Sequence, residues 1–208
     1  GARPFRQILA DEFFTPLGMK DTALGLRADL AARRVPVGGR VRSPGLFVPE
    51  RRAAQNGHLG EETEIPGGGG VATAYDVYRW AETLRRGGEL DGVRILSPAL
   101  LDLATRNHTG AEPNHLFDYM REHRGWDEFP AVLGLGFFLR GDGIFQTPFG
   151  VTTSPRTFGG LGAGSTMFWV DPQRELVFVC LTAGLLEESN NFDRLQQLSD
   201  LVLSALVD

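Results

Sequence analysis

The sequence predicts an α+β fold, and three observations predict it. Apolar residues recur at helical spacing in the first half of the chain. Two apolar runs near residues 166–182 are joined by a short polar connection. A long amphipathic stretch closes the chain. Helices, then antiparallel strands, then a final helix is the order of a segregated α+β architecture, not of a doubly wound parallel sheet. The character changes near residue 130. Residues 1–130 read as a helical and loop-rich part, and 131–208 as strands plus a C-terminal helix covering the sheet.

Each element has a local cause. Pro4 suits a first helical position, and Phe5, Ile8, Leu9 and Phe13 follow at helical spacing until Thr15-Pro-Leu-Gly18 ends the helix. Residues 22–66 are rich in Gly, Pro and Arg and show weak periodicity. Thr73 and Asp76 form a capping pair for a helix striped by Val77, Trp80, Ala81 and Leu84 and closed by Gly87-Gly88. Ser97 caps and Pro98 opens a helix through about Thr105. Residues 107–130 are polar and aromatic and carry no clear period. Val132 to Arg140 reads as a strand. Thr166–Val170 and Leu176–Thr182 read as a hairpin across Asp171-Pro-Gln-Arg-Glu175. The closing helix, Phe192 to Leu206, aligns Leu195, Leu198, Leu201, Val202 and Ala205 on one face.

Composition removes several function classes. With 208 residues, 42% hydrophobic and 23% charged, the chain is long enough for a real core. Its net charge of −5 argues against a nucleic-acid partner. No apolar run is long enough for a membrane span. The single cysteine, Cys180, cannot form an internal disulfide and sits in an apolar run, as a small buried residue would. The first residues are no signal peptide and lack Met, so the chain looks trimmed.

Nucleophilic serine is the first chemistry to test. An S-x-x-K site needs a lysine one helical turn after the serine, to take the hydroxyl proton. The chain has seven serines, and the residues three positions after them are Leu46, Leu100, Thr157, Phe168, Phe192, Val202 and Val207. Lys20 is the only lysine, and Leu17 stands three positions before it. No serine lies in G-x-S-x-G either.

Other constellations are weaker. Gly67-Gly-Gly-Gly-Val-Ala72 formally matches a dinucleotide loop, but Glu61, Glu62 and Glu64 beside it would repel a pyrophosphate. His115, Asp118, Glu122 and His123 cluster in sequence without the spacing of a helical zinc motif, so no metal and no cofactor is predicted. Glu61-Glu62 and Glu187-Glu188 read as solvated loop charges, and Ser189-Asn-Asn191 as a helix cap.

Three phrases carry a resemblance. Phe14-Thr-Pro-Leu-Gly-Met-Lys-Asp-Thr22 resembles the phrase that ends a helix in β-lactamase-like serine hydrolases, a family that includes penicillin-binding proteins and esterases. Gly67 to Asp76 is similar to their glycine loop and following helix. Phe158-Gly-Gly-Leu-Gly-Ala-Gly-Ser-Thr-Met-Phe-Trp-Val-Asp-Pro172 resembles their third active-site strand and its turn. The order and spacing match as well, over essentially the whole chain.

The resemblance implies the β-lactamase/transpeptidase-like fold and acyl transfer from an ester or amide carbonyl. It places the nucleophile motif S-x-x-K and the Tyr-x-Asn motif upstream of Gly1, which accounts for their absence. Its third motif, K-T-G, or His-x-Gly or Trp-Gly-Gly in the esterase-like branches, falls on Gly160, Leu161 and Gly162, so the Lys, His or Trp position is Gly160. By resemblance the Ala163 N–H is one oxyanion donor, the other being the nucleophile's own N–H. His108, Trp126 and Phe137 are candidates for the pocket lining. A small-molecule ester or amide is the implied substrate. A missing N-terminal segment or a second chain is the implied partner, with self-association the alternative fate of the surfaces such a segment would cover. The competing reading is a non-catalytic module that binds a ligand or partner, which the glycine at position 160 favours.

Overall fold

The computed structural model describes residues 3–38, 56, 57 and 59–206. Helix α1, Phe5–Leu9, runs into a π-helical turn, Ala10–Phe14. Pro4 is extended (φ −53°, ψ 144°), so it precedes the helix by one position and does not begin it. Strand β1, Ala23–Leu24, pairs antiparallel with β2, Gly70–Val71. Gly25 follows β1 with φ +82°, and a Cβ there would lie 2.7 Å from the Gly60 carbonyl oxygen. Only glycine fits that position.

Helix α2, Ala74–Arg85, begins as its capping residues predict: the Thr73 hydroxyl accepts from the Asp76 N–H at 3.2 Å. The Asp76 carboxylate does not complete a capping box. It accepts instead from the Asp21 N–H (2.7 Å) and the Thr22 hydroxyl (2.8 Å), tying α2 to the turn before β1. A small hairpin follows, β3 (Glu89–Leu90) and β4 (Val93–Arg94), turning at Asp91-Gly92 with positive φ at both residues. Helix α3, Pro98–Ala104, is capped by Ser97, which accepts from Leu100 N–H at 3.1 Å. The polar stretch after it holds a 3₁₀ turn, His115–Phe117, and α4, Asp118–Arg124, which Gly125 ends in the left-handed conformation.

One four-stranded antiparallel sheet organises the rest, in the order β5 (Phe138–Leu139), β6 (Phe158–Gly162), β7 (Thr166–Asp171), β8 (Leu176–Cys180). The β7–β8 hairpin is the one the sequence predicts. The long strand expected over 132–140 is not formed. Val132 takes φ +41°, Leu133 bridges back to Phe138, and only Phe138–Leu139 joins the sheet. The cause is Gly134-Leu-Gly136. The chain turns there against the end of α3, where Leu135 N–H donates to the Ala104 carbonyl at 2.8 Å.

Helix α5, Glu188–Ser204, covers one face of the sheet and α2 packs on the other. On the α2 side Ala81, Leu84 and Leu101 meet Phe158 and Val170. On the α5 side Leu195 meets Phe149, Met167 and Trp169. The buried stripe of α5 is Ser189, Phe192, Leu195 and Ser199, with Val202 half-buried beside it, while Leu201 is 64% exposed and Ala205 is exposed. An apolar-only stripe is rotated from this one because a serine sits in the buried face. The cap of α5 is the Glu187 carboxylate, which accepts from the Ser189 and Asn190 N–H groups at 3.0 Å. Glu187 is therefore a capping group and no free loop charge, and Ser189 is a buried neighbour of the cap. Cys180 is half-buried, because its strand is the last of the sheet.

Candidate active site

The β6–β7 hairpin is where the chemistry-bearing resemblance falls, and its geometry has three parts. The first is a glycine-rich strip, Gly159, Gly160 and Gly162 around Leu161. Gly159 lets the strands approach closely: a Cβ there would overlap the Phe168 carbonyl oxygen and lie 2.9 Å from Trp169 Cα. Gly160 faces Phe168, Leu161 faces Met167, and Gly162 faces Thr166. The second part is the tip. Ala163 lies in the turn, exposed, one residue past the last cross-strand pair.

The third part is a support behind the tip. Ser165 is buried at 1% exposure and holds φ +64°, unusual for a non-glycine residue. Its N–H donates to Gly162 O at 3.0 Å and its hydroxyl to Gly184 O at 2.5 Å. Its carbonyl accepts from the Thr182 hydroxyl and from Arg194 Nη2 at 2.9 Å. Arg194 is aimed by Asn191 Oδ1, also at 2.9 Å. The segment behind is itself anchored, because Gly38 N–H donates to Ala183 O (2.7 Å) and Leu185 N–H to Gly38 O (2.9 Å). A strained turn persists where its surroundings over-determine it.

The three lining candidates do not gather at this tip. Phe137 is the nearest in packing: it meets Phe158 edge-on (centroids 5.1 Å apart) and joins the α2-side cluster that also holds Phe168. Trp126 packs on Phe192 of α5 at 5.6 Å. His108 is exposed beside α3, its N–H donating to Leu133 O (2.8 Å) and its Nε2 to Leu103 O (2.9 Å).

Other candidates also find their places. In the Gly67–Gly70 loop, the Gly68 and Gly69 N–H groups donate to Ile65 O, so they form a turn and present no phosphate cradle. His115 Nδ1 meets Asp118 at 2.9 Å, and the His123 ring stacks on Tyr119 at 5.7 Å. Among the described residues no three His, Cys, Asp or Glu side chains are grouped to hold a metal, and no helix is long and apolar enough to cross a membrane. His58 lies outside the described residues. A cavity of about 620 Å³ opens beside α1, lined by Arg6, Ala10, Phe14, Lys20, Arg27 and Glu61 among others; no residue of the hairpin lines it.

Sequence reasoning missed Ser165, Phe168, Thr182 and Arg194. Phe168 could have been found, because counting back across the hairpin pairs it with Gly160. The others meet across distant parts of the chain, and no local pattern announces them.

The comparisons with known proteins agree with this fold. The chain is 30% identical over 143 residues to the esterase/β-lactamase LipL of Mycobacterium tuberculosis, an alignment covering 68% of this chain and 29% of LipL. Its structure is similar to a β-lactamase from Mycobacterium bovis, with a TM-score of 0.62 and 25% identity over 97% of this chain and 56% of that one. It is also similar to a penicillin-binding protein homologue from Caulobacter crescentus, with a TM-score of 0.69 and 21% identity over 98% and 53% of the two chains. The chain thus spans from under a third to about half the length of these relatives. The Beta-lactamase family model matches residues 1–201, and the chain belongs to this family of β-lactamase-like serine hydrolases.

Proposed function

We propose that this chain supplies the oxyanion strand and part of the acyl pocket of a serine hydrolase that acts on an ester or amide carbonyl. The observation that carries the reading is the β6–β7 hairpin, with Ala163 exposed at the tip and Ser165 clamped beneath it. The substrate carbonyl lies along the glycine strip, its oxygen toward the Ala163 N–H. A serine hydroxyl from upstream polypeptide or a second chain attacks the carbonyl carbon. Its proton passes to a neighbouring base, and the tetrahedral oxyanion is held by the Ala163 N–H and the serine's own N–H. The carbon–oxygen or carbon–nitrogen bond then breaks, the leaving group takes the proton, and an acyl-serine remains. Water then gives a proton to the same base and attacks the acyl carbonyl; the bond to the serine oxygen breaks, that oxygen takes the proton back, and the acid leaves.

The open edge of β8 supports the same reading. Among the described residues β8 pairs only with β7, and its apolar residues Leu176 to Cys180 are half-buried. Further polypeptide, upstream or from a second chain, adds to that edge and covers it. Unpaired apolar edges otherwise invite association.

The test is intact-mass spectrometry of the whole protein after treatment with a serine-reactive phosphonate. One adduct on a serine outside residues 1–208 supports the reading, and absence of any adduct overturns it. The second reading, a non-catalytic binding module, is favoured by Gly160, which removes the Lys, His or Trp side chain that the resemblance places there. It takes the lead if no adduct forms.

A further inference from the structure

We propose that Phe168 is the specificity-determining wall of this site, selecting uncharged, apolar acyl groups over acyl groups that carry a carboxylate. The proposal rests on the hairpin being the oxyanion strand, as above. Its own basis is a cross-strand relationship. Gly160 and Phe168 are direct partners in the β6–β7 ladder. A Cβ on Gly160 would lie 2.8 Å from Phe168 Cε1 and 3.5 Å from Cδ1 and Cζ. The ring therefore lies across the Gly160 α-carbon and fills the volume a side chain there would take. Gly160 does not have a positive φ. The ring, not the backbone, is what excludes a side chain at this position.

Phe168 is also held and available. It packs against the cluster of Phe158, Val170, Ala81 and Leu84, yet it stays half-exposed. The hairpin residues beside it carry no charge: Gly160 to Ala163 on one strand and its turn, Thr166 to Phe168 on the other. The hairpin's own cation is Arg194, whose Nη2 is committed to Ser165 O and Asn191 Oδ1 at 2.9 Å each. The sole lysine, Lys20, lines the separate cavity beside α1. A carboxylate brought along this strip loses water against a phenyl ring, and no side chain of the hairpin itself carries a positive charge to pair with it, which is costly. An alkyl or aryl acyl group gains the ring face as contact area instead.

Matched esters test this in the intact protein: p-nitrophenyl hexanoate against mono-p-nitrophenyl adipate, which has the same chain length and ends in a carboxylate. The unaltered protein should favour the neutral ester by about tenfold or more in kcat/KM, a charge being harder to accept than the single methylene that is already worth ~10-fold. The gap should narrow in Phe168→Ala and persist in Phe168→Leu, which keeps apolar bulk. The double variant Gly160→Lys with Phe168→Ala should gain activity on the adipate ester, a gain that misfolding cannot produce. Equal rates on the two esters, or a preference unchanged in Phe168→Ala, would overturn the role of Phe168. No turnover of either ester, together with no phosphonate adduct, would instead overturn the hydrolase reading beneath it.

Discussion

The Trp169 indole N–H donates to the Ser199 hydroxyl at 3.0 Å, with both residues fully buried. The hydroxyl in turn donates toward the carbonyls of Leu195 (2.9 Å) and Pro148 (3.2 Å). One serine thus joins the sheet, α5 and the loop before β6. Ser199→Ala leaves a buried indole donor unmatched, which costs about 1–3 kcal/mol. Urea unfolding of the intact protein should show that loss. Trp169→Phe with Ser199→Ala should be less destabilising than the sum of the single changes, because neither orphan then remains.

Asp171 anchors the opposite end of β7. Burial pushes its carboxyl up. The opposing hydrogen bonds from the Ser154 hydroxyl and N–H (2.6 and 2.9 Å), the Arg174 N–H (3.2 Å) and the Arg174 guanidinium (3.0 Å) outweigh that and hold it below the usual range. A lowered folded pKa contributes stability that is fully present above the unfolded value, about 3.9, and lost as pH falls through the folded value. Asp171→Asn should cost about 2–3 kcal/mol at pH 7. The difference from the unaltered protein should shrink as the pH is taken below about 4. Chemical denaturation at a series of pH values reads this directly.

Gly159 and Gly164 should respond oppositely to alanine. At Gly159 the added carbon meets backbone of β7, which cannot step aside. Gly159→Ala should cost about 3 kcal/mol or more, the upper end of overpacking. At Gly164 the nearest atom is Thr182 O at 3.8 Å, ordinary contact distance, so Gly164→Ala should stay within about 0.5 kcal/mol. Melting temperatures of the two variants settle the contrast.

Arg194 should matter to the hairpin tip more than to the rest of the fold. Its charged hydrogen bond to Ser165 O is worth about 1.5–3 kcal/mol. Arg194→Met should speed amide exchange at residues 162–166 by roughly 10–100-fold. Protection in α2 should be unchanged. Equal acceleration everywhere would mean that Arg194 supports the fold generally and not this turn.

The elements legible in the sequence are those whose causes are local. Thr73 and Ser97 announce their helices because a hydroxyl one position before an apolar stripe satisfies an otherwise orphaned N–H. The β7–β8 hairpin shows because both strands are apolar runs around a polar link. Asp91-Gly92 is an equally local signal, a two-residue hairpin turn with positive φ at both positions. The strand expected over 132–140 fails for a tertiary reason, the seat of Gly134 and Leu135 on α3. The α5 stripe fails because Ser199 is buried through Trp169, a partner no spacing rule supplies. At the candidate site, Gly160 to Ala163 are visible through their phrase. The support beneath them is not, since Ser165, Gly184 and Arg194 meet only in the folded chain.

The bond between Gly38 and the segment at Gly184 has a kinetic consequence. These residues lie near opposite ends of the described chain, and their pairing sits directly behind the hairpin turn. Contacts so distant in sequence form late, because the intervening chain must be ordered before they close. As the protein is made, residues 158–171 emerge before residue 184 exists to brace them. The turn then acquires its final shape only when synthesis has passed α5, so a partly made chain carries the β6–β7 hairpin with its turn still unbraced.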